Sequence, residues 1–164
     1  MVLKFRYFSI LLLIAGLLFS SCNTGVKPKE HLAEIYTAAL DSIMEQDEAL
    51  SHEMAFIAID MSEFDDVDEE SKQEILSYFN EKYQVDVMDA TFEQLKEKGF
   101  YDPGTLSLDG VLLTIEKVEF KFNNTVFFEG TKYRSGLGAV GVEGTVHYKN
   151  NEWKTKEVKQ TWMS

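Results

Sequence analysis

Three glycines in the stretch RSGLGAVGVEG, Gly136, Gly138 and Gly141, are spaced as G-x-G-x-x-G, the pattern that lets backbone amides approach a pyrophosphate. That chemistry needs the glycines between a strand and a helix whose N-terminus receives the negative charge. Here Gly141 leads into Val142, Val146 and Tyr148, which alternate as a strand does. The glycines therefore read as a turn or bulge, and no nucleotide is expected. The kinase version of the loop wants a valine where Glu143 stands, and neither HRD nor DFG occurs. What the stretch does offer is Tyr133, Arg134 and Ser135 beside the open backbone of Gly136 and Gly138. These five residues are the candidate interaction loop. Arg134 is the only arginine after Arg6, and its planar fork suits a ligand carboxylate or an acidic peptide. An intramolecular pair with one of the many acids is the commoner use of such a residue.

Metal and nucleophile chemistry meet similar obstacles. HEMAF, His52 to Phe56, begins like the zinc motif H-E-x-x-H, but Phe56 occupies the place of the second ligand. His31, His52 and His147 share no ligand spacing, so no metal and no cofactor is expected. DVDEE, Asp66 to Glu70, resembles the opening of a calcium loop, yet Ser71 replaces its glycine and Ser77 its bidentate glutamate. Carboxylates gathered at the positive end of a helix explain that run better. Neither G-x-S-x-G nor S-x-x-K occurs, and no catalytic residue is assigned. Among 28 acidic residues, only geometry can separate a working acid and base from chance neighbours. The aromatics Phe120, Phe122, Phe127, Phe128, Trp153 and Trp162 fit a pocket or a sugar platform, and equally ordinary cross-strand packing.

Cys22 has a setting that specifies its chemistry. It is the single cysteine, and it follows Lys4, Arg6, the apolar run YFSILLLIAGLLF and the small pair Ser20 and Ser21. This is the layout of a secretory signal peptide, and the apolar run falls short of the roughly 20 residues of a spanning helix. LFSSC also resembles a bacterial lipobox, with Phe19 in place of the usual aliphatic residue three positions before the cysteine. Residues 1–21 are expected to be a lipoprotein signal peptide, 22–30 a lipidated tether starting at Cys22, and 31–164 one domain on the outer face of the cell membrane. An uncleaved anchor and plain secretion are the alternatives. Buried acyl methylenes contribute about 0.8 kcal/mol each, so two or three chains hold a protein that one chain holds only marginally. With Cys22 so used, the domain has no disulfide and no thiol nucleophile.

The formal net charge is −12, and Lys4 and Arg6 fall in the leader, leaving 14 basic against 28 acidic side chains. Such a surface repels nucleic-acid phosphates and anionic lipid heads. Nucleic acid is not an expected partner, and the domain is expected to stand off the bilayer on its lipid.

The elements that must position any site follow from periodicity. Leu32, Ile35, Tyr36, Ala39, Leu40, Ile43 and Leu50 recur at helical steps and predict a helix from about Lys29 to Leu50. AFIAIDM reads as a buried strand. Asp66 with Glu69, or Ser71 with Glu74, can open a helix carrying Ile75, Leu76, Phe79 and Tyr83. QVDVM follows as a short strand, which completes a βαβ unit, and Asp89 or Thr91 can cap a short helix stopped by Gly99. After YDPGTLSLDG the chain alternates as an antiparallel meander of four strands. Glu116 and Lys117 mark a bulge, while Asn123-Asn124 and Asn150-Asn151 suit tight hairpins. Lys154, Lys156 and Lys159 place the last strand at an edge.

HLAEIYTAALDSIM, FIAIDM, YDPGTLSLDGVLLTIEKVEFKFNN and YRSGLGAVGVEGTVHYKNNEWKTKE together resemble a group of uncharacterised lipoproteins of Bacillus-type Gram-positive bacteria. The resemblance covers nearly all of the chain after the leader. Members are sometimes labelled substrate-binding proteins of peptide transporters, although such receptors close two lobes over a cleft and need a longer chain. The resemblance implies a Gram-positive cell surface and carries over no catalytic residue.

The fold expected is α+β, with a long N-terminal helix and shorter helices on one face of a mixed sheet. A cystatin-like or NTF2-like curved sheet around a helix is the alternative. The function expected is a membrane-anchored, extracytoplasmic binding module for a peptide, a wall component or another protein. A cell-envelope hydrolase working through carboxylates and an inhibitor or immunity protein are the competing classes.

Overall fold

A computed structural model describes residues 25–64 and 66–164, so the expected signal peptide and the lipid site at Cys22 lie outside the described residues. The first helix, α1, runs over Leu32–Met44 and buries Ile35, Ala39, Leu40 and Ile43 along one side. It is shorter than the periodicity predicts, and 3-10 turns at Pro28–Glu30 and Glu48–Ser51 flank it. Pro28 has no amide hydrogen to continue a helix backwards, and Asp47, with φ of 44°, turns the chain left-handed beyond Met44. Leu50 packs against the core from the second turn, which is why its spacing still looks helical.

Strand β1 (Phe56–Asp60) leads to helix α2 (Glu69–Tyr83), strand β2 (Asp86–Asp89) and the short helix α3 (Phe92–Glu97). Asp68 caps α2 by accepting from the Ser71 amide at 2.8 Å, a start between the two capping boxes the sequence offers. That bond holds the Asp68 carboxyl below the usual carboxylate range. Thr91 and Gln94 form a full capping box on α3, and Gly99, at φ of 82°, supplies the left-handed residue after it.

Strands β3 (Tyr101–Asp102), β4 (Ser107–Lys121), β5 (Thr125–Ser135), β6 (Gly138–Lys149) and β7 (Glu152–Met163) complete a mixed seven-stranded sheet, and the fold is α+β. The order is β2-β1-β4-β5-β6-β7, with β3 beside β4. β1 lies parallel to both neighbours, Ile57 facing Val87 and Val111, whereas β4 to β7 run antiparallel. The register slips at Glu116, between Ile115↔Gly130 and Lys117↔Glu129, as the switch of apolar phase predicts. All four hairpin asparagines have positive φ, which two-residue turns matching the strand twist require.

One face of the sheet, with Ile57, Ile59, Val111, Leu113, Phe128 and Val142, packs on α1 and α2. The other face departs from expectation. The sequence predicts every helix on one side, but Leu95 of α3 packs with Phe56, Ala58, Leu108 and Leu112, the alternate residues of β1 and β4. Strands β1 and β4 are apolar at both phases in their paired stretch, so both faces there need a cover.

Candidate functional site

The five residues of the predicted interaction loop do not converge. Successive strand residues point to opposite faces. Tyr133 packs edge-on against Phe92 at 5.3 Å and donates to the Leu106 carbonyl at 3.4 Å. Arg134 turns the other way and donates to the carbonyls of Leu50 (3.0 Å) and His52 (2.6 Å). Its fork therefore holds backbone of the chain, not an acid. Ser135 pairs with Gly138 across the β5–β6 turn, where Gly136 and Leu137 project. Gly141 lies within β6, and a Cβ there would fall 2.0 Å from the Trp162 indole nitrogen. The glycine spacing thus serves a hairpin and a tryptophan laid flat on the strand.

A concavity of ligand size lies elsewhere. A groove of ≈ 440 Å³ runs between α1, α2 and β7, within the roughly 300–1,000 Å³ common for ligand sites. Small residues of α1, Ala33, Thr37 and Ala38, line it, because a helix face without long side chains leaves a trough beside its neighbours. Thr155 fixes β7 to that helix by donating to the Ala38 carbonyl at 3.1 Å. Tyr78 and Trp153 supply aromatic surface on the α2 and β7 sides.

Four carboxylates line the groove, Glu34, Asp41, Glu74 and Glu152, against the single lysine Lys154. Three have internal partners. Glu34 meets His31 Nδ1 at 2.8 Å, Glu152 meets Lys154, and Asp41 meets Lys82. Glu74 has no hydrogen-bond or ion-pair partner among the described residues. It is the one carboxylate of the four without an internal partner among the described residues.

Asp41 anchors the end of this site. It accepts from Lys82 at 2.6 and 2.7 Å, from Tyr83 at 2.8 Å and from Tyr78 at 3.1 Å. Burial raises the Tyr83 pKa, and its bond to Asp41 raises it further. Burial works against the Lys82 ammonium, but the bond and charge of Asp41 outweigh it and raise the lysine. With four hydrogen bonds from three donor groups on its two oxygens, Asp41 serves as a structural node that fixes the Tyr78 ring. The sequence shows no motif here. Its one usable signal is that Asp41 and Glu34 interrupt the exposed side of an apolar-rich helix.

Comparison of the chain with protein-family models, curated proteins and solved structures returns no match.

Proposed function

We propose that this chain is a lipid-anchored, extracytoplasmic binding module whose groove between α1, α2 and β7 takes a peptide bearing a cationic side chain. The observation that carries the reading is the unpartnered Glu74 carboxylate in the same groove as the Tyr78 and Trp153 rings. A carboxylate supplies charge to an amine or guanidinium, and aromatic faces attract the same cation. The other edge of interaction, β7, is poorly disposed to accept a peptide strand. Its ladder with β6 slips between Glu157 and Thr155 and between Trp162 and Gln160, and its lysines repel an incoming cationic strand. The anchor rests on Lys4, Arg6, the apolar run and Cys22, which supply the charge, length and nucleophile that lipoprotein processing needs.

Two separate measurements test the two halves. Palmitate labelling is expected to mark the full chain and to miss Cys22→Ala; equal labelling of both overturns the anchor. For the groove, amide and indole shifts of the full chain are followed by NMR while tri-lysine amide or tri-glutamate is added. Tri-lysine is expected to move Glu74, Tyr78 and the Trp153 indole, with the effect lost in Glu74→Gln. Equal shifts with tri-glutamate, or shifts confined to another surface, overturn the groove reading.

A further inference from the structure

The net charge alone predicts a domain that keeps clear of an anionic surface, but the charges and the exposed aromatics are unevenly placed. β5 runs from Thr125 to Ser135, about 33 Å at strand rise, and its two ends differ in character. At the far end, the Ser135 turn gathers Asp47, Glu48, Glu53, Asp102 and Asp109, while Lys132 and Arg134 are turned onto backbone carbonyls and the Ser51 hydroxyl and Lys96 lies over the Tyr101 ring. At the near end, the β4–β5 and β6–β7 hairpins lie side by side, the Tyr148 amide donating to the Asn124 carbonyl at 3.0 Å.

The near end is where the chain arrives. The His31 ring, at the start of α1, lies 6.2 Å from Tyr148 and 6.4 Å from Trp153. Val26 already packs on the core, and Lys29 reaches Asp66 at 2.7 Å. Two residues, Asn23 and Thr24, separate Cys22 from Gly25, so a fully extended link spans at most about 11 Å. An acyl group on Cys22 would therefore hold this end of the domain against the bilayer, too close to stand off.

The hairpins meet that requirement chemically. Phe122 is 94% exposed at the β4–β5 tip, and Phe120 is 42% exposed one strand period before it. Lys121 flanks them, and Lys149, Lys154 and Lys156 crowd the neighbouring hairpin. His147 reports that crowding: burial first, then Lys149, Lys156 and Lys154, push its pKa down. Among the described residues, only Glu119 and Glu152 pair with this set, leaving Lys149 and Lys156 without an ion pair. Glu63, Asp66 and the acidic start of α2, Asp68 to Glu70, sit on the helix side of the same end, which tilts the hairpin side toward a negative surface.

We propose that the β4–β5 and β6–β7 hairpins form a second membrane contact, with Phe122 entering the interface of an anionic bilayer and Lys149 and Lys156 meeting its head groups. Aromatic side chains settle at that depth, and lysines add electrostatic attraction to anionic lipid. The far end, acidic and repelled, then points away. This contact rests on the anchor proposed at Cys22 for its local concentration, and owes nothing to the groove.

The full chain is incorporated into phosphatidylglycerol vesicles carrying brominated acyl chains, and flotation is scored alongside tryptophan quenching. Phe122→Trp is expected to add emission that is blue-shifted and quenched several-fold more than that added by Leu137→Trp, at the opposite turn, where Leu137 is 91% exposed. Phosphatidylcholine vesicles, or Lys149→Glu with Lys156→Glu, are expected to reduce the difference. A chain that floats with Phe122→Trp quenched no more than Leu137→Trp overturns the contact and leaves the anchor standing. A chain that does not float, with both probes unquenched, overturns both. Strong quenching of Phe122→Trp in a chain that palmitate does not label overturns the anchor alone.

Discussion

The ammonium of Lys132 lies 2.8 Å from the Met44 carbonyl oxygen, at the end of α1, in the interior of the domain. Its other two hydrogens go to the Asp47 carbonyl at 3.0 Å and the Ser51 hydroxyl at 2.9 Å, so all three donors are used. A cation on the last carbonyls of a helix complements the negative end of its dipole. Lys132 is 0% exposed, and it joins β5 to the loop that carries the chain from α1 to β1.

Replacing Lys132 with Met keeps the stem's packing and strands two carbonyls and a hydroxyl. We expect a loss of about 2–4 kcal/mol in denaturant unfolding. Burial lowers the Lys132 pKa from 10.5 to about 8, against the pull of Asp47 and Glu48. Between those values the unfolded chain binds more protons than the folded one, so raising the pH through that window favours folding and lowering it removes the gain. The stability of the native chain relative to Lys132→Met is therefore expected to increase from pH 8 toward 10.5. A difference that stays flat or narrows over that range contradicts the assignment.

Two glycines on adjacent strands predict opposite tolerances. A Cβ on Gly130 would fall 2.3 Å from the Thr114 carbonyl oxygen and 2.6 Å from Ile43 Cδ1. Backbone cannot retreat there, so Gly130→Ala is expected to cost about 2–3 kcal/mol. At Gly141 the obstacle is the half-exposed Trp162 ring, which can swing into solvent. Gly141→Ala is expected to cost under about 1 kcal/mol and to shift Trp162 emission to the red. Equal costs would show that the ring is held more firmly than its exposure implies.

Asp41→Asn weakens the node at the groove. The amide accepts fewer bonds than the carboxylate and removes the charge facing Lys82, so a loss of about 1 kcal/mol is expected, small because Lys82 is partly solvated. A titration of tyrosinate absorbance checks the local effect. Burial and then Asp41 raise the Tyr83 pKa, and the substitution is expected to bring one tyrosine back toward its ordinary value of 10. No change in the titration curve would place Tyr83 outside this network.

The lysines of β7 protect an open edge of 12 residues. Lys156→Val with Lys159→Val is expected to produce concentration-dependent self-association by light scattering, with the monomer fold unchanged by circular dichroism. A variant that stays monomeric would show that the two register slips suffice to guard the strand.

Local chemistry made the turns and caps legible in the sequence. Asn123-Asn124, Asn150-Asn151, the Glu116 bulge and Thr91 all act through residues that decide their own backbone conformation. What escaped depends on long-range placement. The end of α1 is set by the turn at Asp47 and by Lys132 from β5, which no window over α1 contains. Lys132 itself shares the phase of Val126 and Phe128, and that alternation was the available sign that it points inward. Arg134, two residues on, is bound by carbonyls that no charge count reveals. The groove was illegible because it arises from small residues on α1 and the distance to α2 and β7, neither of which forms a motif.

β1 lies between β2 and β4, and both of those partners follow it in the chain. During synthesis the apolar segment Phe56–Ile59 therefore emerges with neither ladder available, and its second edge stays open until Val111 has been made. That segment must be kept from sticking to its neighbours while about a third of the chain, up to Val111, is still to be made.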